Sequence, residues 1–238
     1  MKFAWLALVL VTSWGGGFAQ APRGGMFSRS ATPVWDLVWD REQVRIPSPN
    51  RRTVLLAEVI QPGSGVRLTL RRGSESIWNQ SISPGVGIEI GWSPDSLAFF
   101  VTTSNAGRNG WYGTFVFLLS GDTVTELDLS PSVLSEFGHP VKCGWPEDPN
   151  VVAVRWVVPS KRLLVAAEII HHSVCDSFGT FRAFEVSLPD RAILKKYGQI
   201  EAKRLFHSDL GWELADAPDK CILQPKSCWV SGNHPKTP

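Results

Sequence analysis

The 238-residue chain carries 24 basic and 22 acidic residues, with 43% apolar and 19% charged side chains. This is enough to bury the core of one all-β domain or two small domains. The near charge balance excludes the basic footprint of a nucleic-acid-binding chain, and the apolar fraction excludes a disordered polyelectrolyte.

The chain opens Met1-Lys2-Phe3, runs apolar from Ala4 to Val11 and reaches the small residues Gly15-Gly16-Gly17-Phe18-Ala19. A positive start, a short apolar core and a small-residue end predict a secretory signal peptide over residues 1–19, cleaved after Ala19. The apolar run falls well short of the roughly 20 residues needed to span a bilayer, so no membrane span is expected. The reading places the protein in a secreted or periplasmic compartment. There the four cysteines, Cys143, Cys175, Cys221 and Cys228, are expected in disulfides. Three connectivities are open, and nearest-in-sequence pairing, Cys143–Cys175 and Cys221–Cys228, closes the shortest loops.

Residues 20–33, rich in Gly, Ser, Arg and Pro, read as a leader without fixed structure. Val34 to Trp39 alternates large apolar residues and fits either a first strand or a short helix. A first repeat follows: Val44-Arg45-Ile46, the turn Pro47-Ser48-Pro49-Asn50, the β-branched strand Thr53 to Ile60, strict alternation over Val66 to Arg71, and Ile77 to Ile82. The second repeat spans Ile88 to Leu129, and the third runs from Val151 through Arg162–Ile170 and Gly179-Thr180-Phe181 to Asp190. Pro49 to Pro94 is an offset of 45 and Gly73 to Gly121 one of 48. Pro94 to Pro159 is 65, Gly113 to Gly179 is 66 and Asp122 to Asp190 is 68, the longer period reflecting an insertion over residues 130–150.

Repeats of this size, each a four-stranded meander, predict consecutive antiparallel sheets over residues 34–198. The fold class is all-β, a partial or atypical β-propeller with a short C-terminal helix. Trp92-Ser93-Pro94-Asp95, then Leu97-Ala98-Phe99, the aromatic hairpin Gly113-Thr114-Phe115 and Gly121-Asp122 resemble the TolB-type (WD40-like) propeller repeat. The resemblance covers about residues 44 to 197. The first repeat keeps Ser48-Pro49-Asn50 and lacks the tryptophan; the third keeps Trp156 and Pro159 and lacks the Ser-Pro-Asp core. It implies a fold and an exported setting but transfers no binding residue. Three repeats are fewer than the four to eight blades of a closed propeller. A fourth blade from the chain ends, an open assembly and a ring-completing dimer all stay open.

Beyond Tyr197, Gln199 to Leu210 is rich in helix formers with Gly211 as its stop, and Trp212 to Ala215 precedes Pro218. Residues 199–230 read as a helical segment stapled by Cys221 and Cys228, and residues 231–238 as a disordered tail.

Catalytic motifs are missing: there is no Gly-x-Ser-x-Gly elbow and no His-Glu-x-x-His. His139, Cys143, His171, His172 and Cys175 have the residue types of a nitrogen–sulfur metal site, but disulfide formation would consume both thiols. No metal or cofactor is therefore expected. The loop around Arg108 with Trp111 and Tyr112, and the matching hairpin of the third repeat with His171, His172 and Phe178, put aromatic and charged groups at one end of the sheets, where a partner would bind. Two functional classes follow. One is a non-catalytic exported protein that binds a protein or an envelope component through these loops. The other is an envelope hydrolase, metal-assisted through the His/Cys cluster.

Overall fold

A computed structural model describes residues 24–34, 43–61, 65–82, 87–104, 111–138, 148–169 and 179–219. Its strands form three antiparallel sheets, each built on a meander of four consecutive strands, the second extended by a short fifth strand at its edge. The first holds β2 (Gln43–Pro47), β3 (Thr53–Gln61), β4 (Gly65–Arg72) and β5 (Glu75–Ile82). The second holds β6 (Ile88–Trp92), β7 (Ala98–Ser104), β8 (Tyr112–Ser120) and β9 (Thr123–Asp128). The third holds β10 (Asn150–Val158), β11 (Arg162–Glu168), β12 (Phe181–Ser187) and β13 (Ile193–Tyr197). The expected all-β architecture of successive meanders is what the chain adopts.

The repeated Ser-Pro-Asx sequence makes the same turn twice. Ser48 Oγ donates to Asn50 Oδ1 (2.9 Å) and accepts from Thr53 N–H (3.2 Å). Ser93 Oγ donates to Asp95 Oδ1 (2.5 Å) and accepts from Ala98 N–H (3.0 Å). Proline presets φ, the Ser and Asx side chains satisfy the turn backbone, and the position two after proline is left-handed in both (Arg51 φ 59°, Ser96 φ 63°). Neighbouring turns are also tied to one another: Asn50 N–H donates to Ser96 Oγ (3.0 Å), and Ser160 Oγ donates to Asp95 Oδ2 (2.7 Å). The repeated tryptophans supply the second tie. Trp92 Nε1 donates to Ile46 O (3.2 Å) and Trp156 Nε1 to Gly91 O (3.3 Å). Ile46 stands three residues before Pro49 and Gly91 three before Pro94, so each tryptophan bonds the same point of the preceding sheet.

Three apolar layers result. Between the first two sheets Leu55, Leu68 and Leu70 face Phe99, Val101 and Phe117. Between the second and third, Phe100 and Val116 face Ala153, Trp156, Val165 and Phe184, with helix α1 (Ser130–Phe137) adding Val133 and Phe137. This helix, built from the insertion between the second and third repeats, was not expected from the sequence. Because the second sheet is covered on both sides, every residue of β7 is buried, and its sequence reads as a continuous apolar run instead of an alternation. Gly91 permits the close contact beneath it. A Cβ there would lie 2.2 Å from Phe100 Cζ and 2.3 Å from Cε1, and Phe100 has no free surface to retreat into. Gly91→Ala is therefore expected to cost about 1–3 kcal/mol through overpacking. Urea unfolding reads this as a lowered midpoint at unchanged m-value.

Among the described residues the array stops at three sheets, and the two ends stop it differently. The third layer covers the outer face of sheet three: Val152, Leu164, Ala166 and Phe181 pack against Phe27, Ala202 of α2 (Gln199–Phe206) and Leu214 of α3 (Trp212–Asp216). The helix expected from Gln199 is present, and Gly211 separates it from the next one. The N-terminal segment departs from expectation. Residues 24–33 belong to the stretch that composition reads as an unstructured leader, yet Phe27 is 1% exposed and β1 (Thr32–Pro33) pairs with β6. Ser28 Oγ donates to Val154 O (2.7 Å), so this segment straps sheet two to sheet three. Small polar composition misleads here because one phenylalanine and one buried acceptor, Glu89, hold the strap. The opposite end, the outer face of sheet one, carries Arg45, Arg67 and Arg71 around the β3 row Val54, Leu56 and Glu58, of which Leu56 is buried.

Candidate functional site: a cleft at the hairpin end

The tight turns of the three sheets lie at one end. The C-terminal ends of β5 and β7 and the N-terminal ends of β6 and β8 lie at the other, where a cleft of about 250 Å³ opens between the first two sheets. Strand β8 builds one wall. Trp111 precedes it, and Gly113, Phe115 and Phe117 follow at alternate positions, so period-two geometry presents all four to the same side. The C-terminal half of β5 supplies Gln80, Ser81 and Ile82, while Thr103, Ser104 and Glu126 add polar groups. Trp111 is half-buried, so its ring is both held and accessible. The volume is at or below the low end of small-molecule pockets and suits one or two side chains of a larger partner. Beside it, β5 is an edge strand paired only with β4 among the described residues, with a row of its backbone groups unpaired by the sheet.

Tyr112 does not belong to this site. It points to the opposite face, meets Phe27 edge-to-face (ring centroids 4.8 Å apart), and its backbone N–H donates to Asn150 Oδ1 (2.9 Å). Its hydroxyl lies against Gly87, where a Cβ would come within 2.7 Å. Burial, helped by the carboxyls of Glu89, Glu213 and Glu168, pushes the phenol up to about 12. Tyr112 thus anchors the strap to the sheets. Of the other expected binding residues, Arg108, His171, His172 and Phe178 lie outside the described residues. So do the signal segment, His139 and all four cysteines, Cys143, Cys175, Cys221 and Cys228, with the proposed pairings. Among the described residues no group of three or more His, Cys, Asp or Glu side chains is arranged to hold a metal ion, and no helix is long and apolar enough to cross a membrane.

Two buried acids are the feature sequence reasoning missed. Glu89 (2% exposed) accepts the backbone N–H groups of Phe27 (3.0 Å) and Ser28 (3.2 Å). Burial outweighs these bonds and pushes its carboxyl up to about 7. Glu168, with no exposed surface, accepts from Asn150 Nδ2 (3.1 Å), has no hydrogen-bond partner for Oε1 among the described residues, and is pushed up to about 8 by burial. The available signal was a lone glutamate inside an apolar strand: Ile88-Glu89-Ile90 and Ala166-Ala167-Glu168-Ile169. Neither acid reaches the cleft or solvent, so neither is placed to exchange a proton with a ligand. They are structural groups whose charge state bears on stability. No protein-family model, no curated protein and no solved structure matches the chain.

Proposed function

We propose that this chain is an exported, non-catalytic β-repeat protein of the TolB-like type that binds a protein or a cell-envelope component through the hairpin end of its sheets. The observation that carries the reading is the cleft itself. Trp111, Phe115 and Phe117 line it together with polar groups from Gln80, Ser81, Thr103 and Glu126, an aromatic wall with polar neighbours that suits an anchoring side chain. The adjacent open edge of β5 supports main-chain pairing with an extended segment of the partner. The export setting rests on the N-terminal sequence.

The test is selection of a random peptide library on the purified full-length protein. Enriched peptides are expected to share one large apolar anchor. Trp111→Ala is expected to weaken them about tenfold, the effect of losing a pocket aromatic. Trp212→Ala, at an exposed tryptophan on the far cap, is expected to leave affinity unchanged. Peptides without an anchor, or indifference to Trp111→Ala, would remove the cleft from the function.

A further inference from the structure

The outer face of sheet one was left over by the fold and is not used by the cleft. Residues 43–82 contain six arginines, two glutamates and neither lysine nor aspartate, so this sheet alone carries +4 while the whole chain carries +2. Read in sequence, the arginines look like scattered turn and edge residues. Register gathers three of them. Gln43 pairs with Glu58 and Glu58 with Arg67; Arg45 pairs with Leu56, Leu56 with Thr69, and Thr69 with Asn79; Val54 pairs with Arg71. These rows share the face opposite the Leu55, Leu68 and Leu70 core, and Arg45 and Arg67 are exposed on it.

We propose that this face is a docking surface for an acidic polysaccharide, held by Arg45, Arg67 and Arg71. Among the described residues neither Arg45 nor Arg67 makes an ion pair, and Arg71 is held at one nitrogen by Ser74 O (2.6 Å). The nearby anion, Glu58, is engaged by Gln43 Nε2. Arg72, by contrast, is spent on Asp122 and Gly121 O. Arg67 and Arg71 stand four residues apart on one strand, roughly 13 Å, and Arg45 lies two strands over, roughly 10 Å. Charges at this spacing on an open sheet face suit a polymer that repeats its anions, not a compact ligand needing a pocket.

Chemistry narrows the polymer. Guanidinium groups offer planar, two-pronged donors that match carboxylates, and the exclusive use of arginine here favours that recognition over a diffuse positive field. Thr69, Asn79 and Gln43 interleave neutral donors and acceptors suited to sugar hydroxyls. Large apolar anchors are scarce: Val54 is half-buried, Leu56 is buried, and Ile60 is exposed only at the hairpin end. That composition disfavours both a protein hot spot and insertion into a lipid surface.

The test uses the full chain with polygalacturonate as the probe, neutral dextran as its uncharged counterpart, and double-stranded DNA and anionic vesicles as other polyanions. Binding to polygalacturonate is expected at low salt and is expected to fall with added salt. The triple variant Arg45→Gln, Arg67→Gln, Arg71→Gln is expected to lose about tenfold or more, the sum of three exposed charge contacts. The corresponding triple lysine variant, which keeps the charge, is expected to lose severalfold, and it isolates guanidinium geometry if the glutamine variant is destabilised. Trp111→Ala is expected to change nothing, so failure here is separable from failure of the cleft. The proposal is overturned if polygalacturonate does not bind, if both triple variants bind like wild type, or if DNA or vesicles bind equally well.

Discussion

Stability is expected to fall, not rise, as the pH is raised from about 4.5 to 8. Glu89 and Glu168 both have folded-state carboxyls well above the ordinary value of 4.5, at about 7 and about 8. Below 4.5 both states of the protein hold these protons, and the acids contribute their full stability. Between 4.5 and 7–8 the unfolded chain releases them while the folded chain keeps them, so each pH unit lowers the unfolding free energy by up to about 1.4 kcal/mol per acid. Across the window the loss is on the order of several kcal/mol, a large share of what a domain of this size commands. The groups facing these acids reinforce the sign: Tyr112 stays neutral, Glu213 opposes ionisation of Glu168, and only Asn150 and the strap amides favour it. Urea midpoints at pH 5, 6, 7 and 8 are the measurement. Glu168→Gln, the uncharged analogue, is expected to leave the pH 5 midpoint nearly unchanged and to raise the pH 8 midpoint. A profile flat from pH 5 to 8 in the wild type would mean that neither acid is enclosed as described.

A second consequence is local. Glu89 holds the strap through the amides of Phe27 and Ser28, and the strap covers the third apolar layer. Hydrogen exchange over residues 24–34 should therefore respond to pH in the same window as global stability. Asp95 behaves in the opposite sense. Burial pushes it up, but bonds from Ser93, Ser160 and Leu97 outweigh that and hold it below its ordinary 3.8. Its contribution is present above 3.8 and lost as the pH falls below that value.

What the sequence disclosed, and what it withheld, follows from how each feature is encoded. The meanders were legible because period-two alternation and Ser-Pro-Asx turns are local codes: Val66 to Arg71 alternates since only one face of sheet one is covered, and Ala98-Phe99-Phe100-Val101 does not since sheet two is covered twice. Trp111 was legible as an aromatic at a hairpin, but its neighbour Tyr112 was not separable from it without the pleat, which sends adjacent side chains to opposite faces. The strap was illegible for a different reason. Its order comes from Glu89, 62 residues away from Phe27, and from Val154, 126 residues away from Ser28. Composition carries no trace of such distant partners. The arginine face lay between these cases. Its residues are plain in the sequence, and only strand register shows that three of them share a side.

Phe99→Ala is expected to destabilise the protein by about 3–5 kcal/mol, the range for removing a buried phenylalanine ring. Phe99 has no exposed surface and sits among three other rings. It stacks on Phe117 (centroids 4.8 Å apart, planes within 16°) and contacts Trp92 at 5.1 Å and Trp78 at 5.9 Å. Trp78 comes from β5 of the first sheet and Phe117 from β8 of the second, so the ring bonds two repeats that share no hydrogen-bonded ladder. Truncation therefore costs the transfer energy, the cavity left between rings that the two sheets hold apart, and the ring-pair contacts, each of the latter about 0.5–1.5 kcal/mol. Phe99→Leu keeps most of the volume and is expected to cost less than half as much. The substitution also reaches the cleft, because Phe117 stacks on Phe99 and is one of the residues that line the cleft. In a double-mutant cycle on an anchored peptide, Phe99→Ala and Trp111→Ala are therefore expected to be non-additive, since both loosen the same socket. Additive losses would place the anchor away from Phe117. An unfolding cost under 1 kcal/mol would show that the first two sheets do not share this layer, and with it the cleft between them would lose its wall.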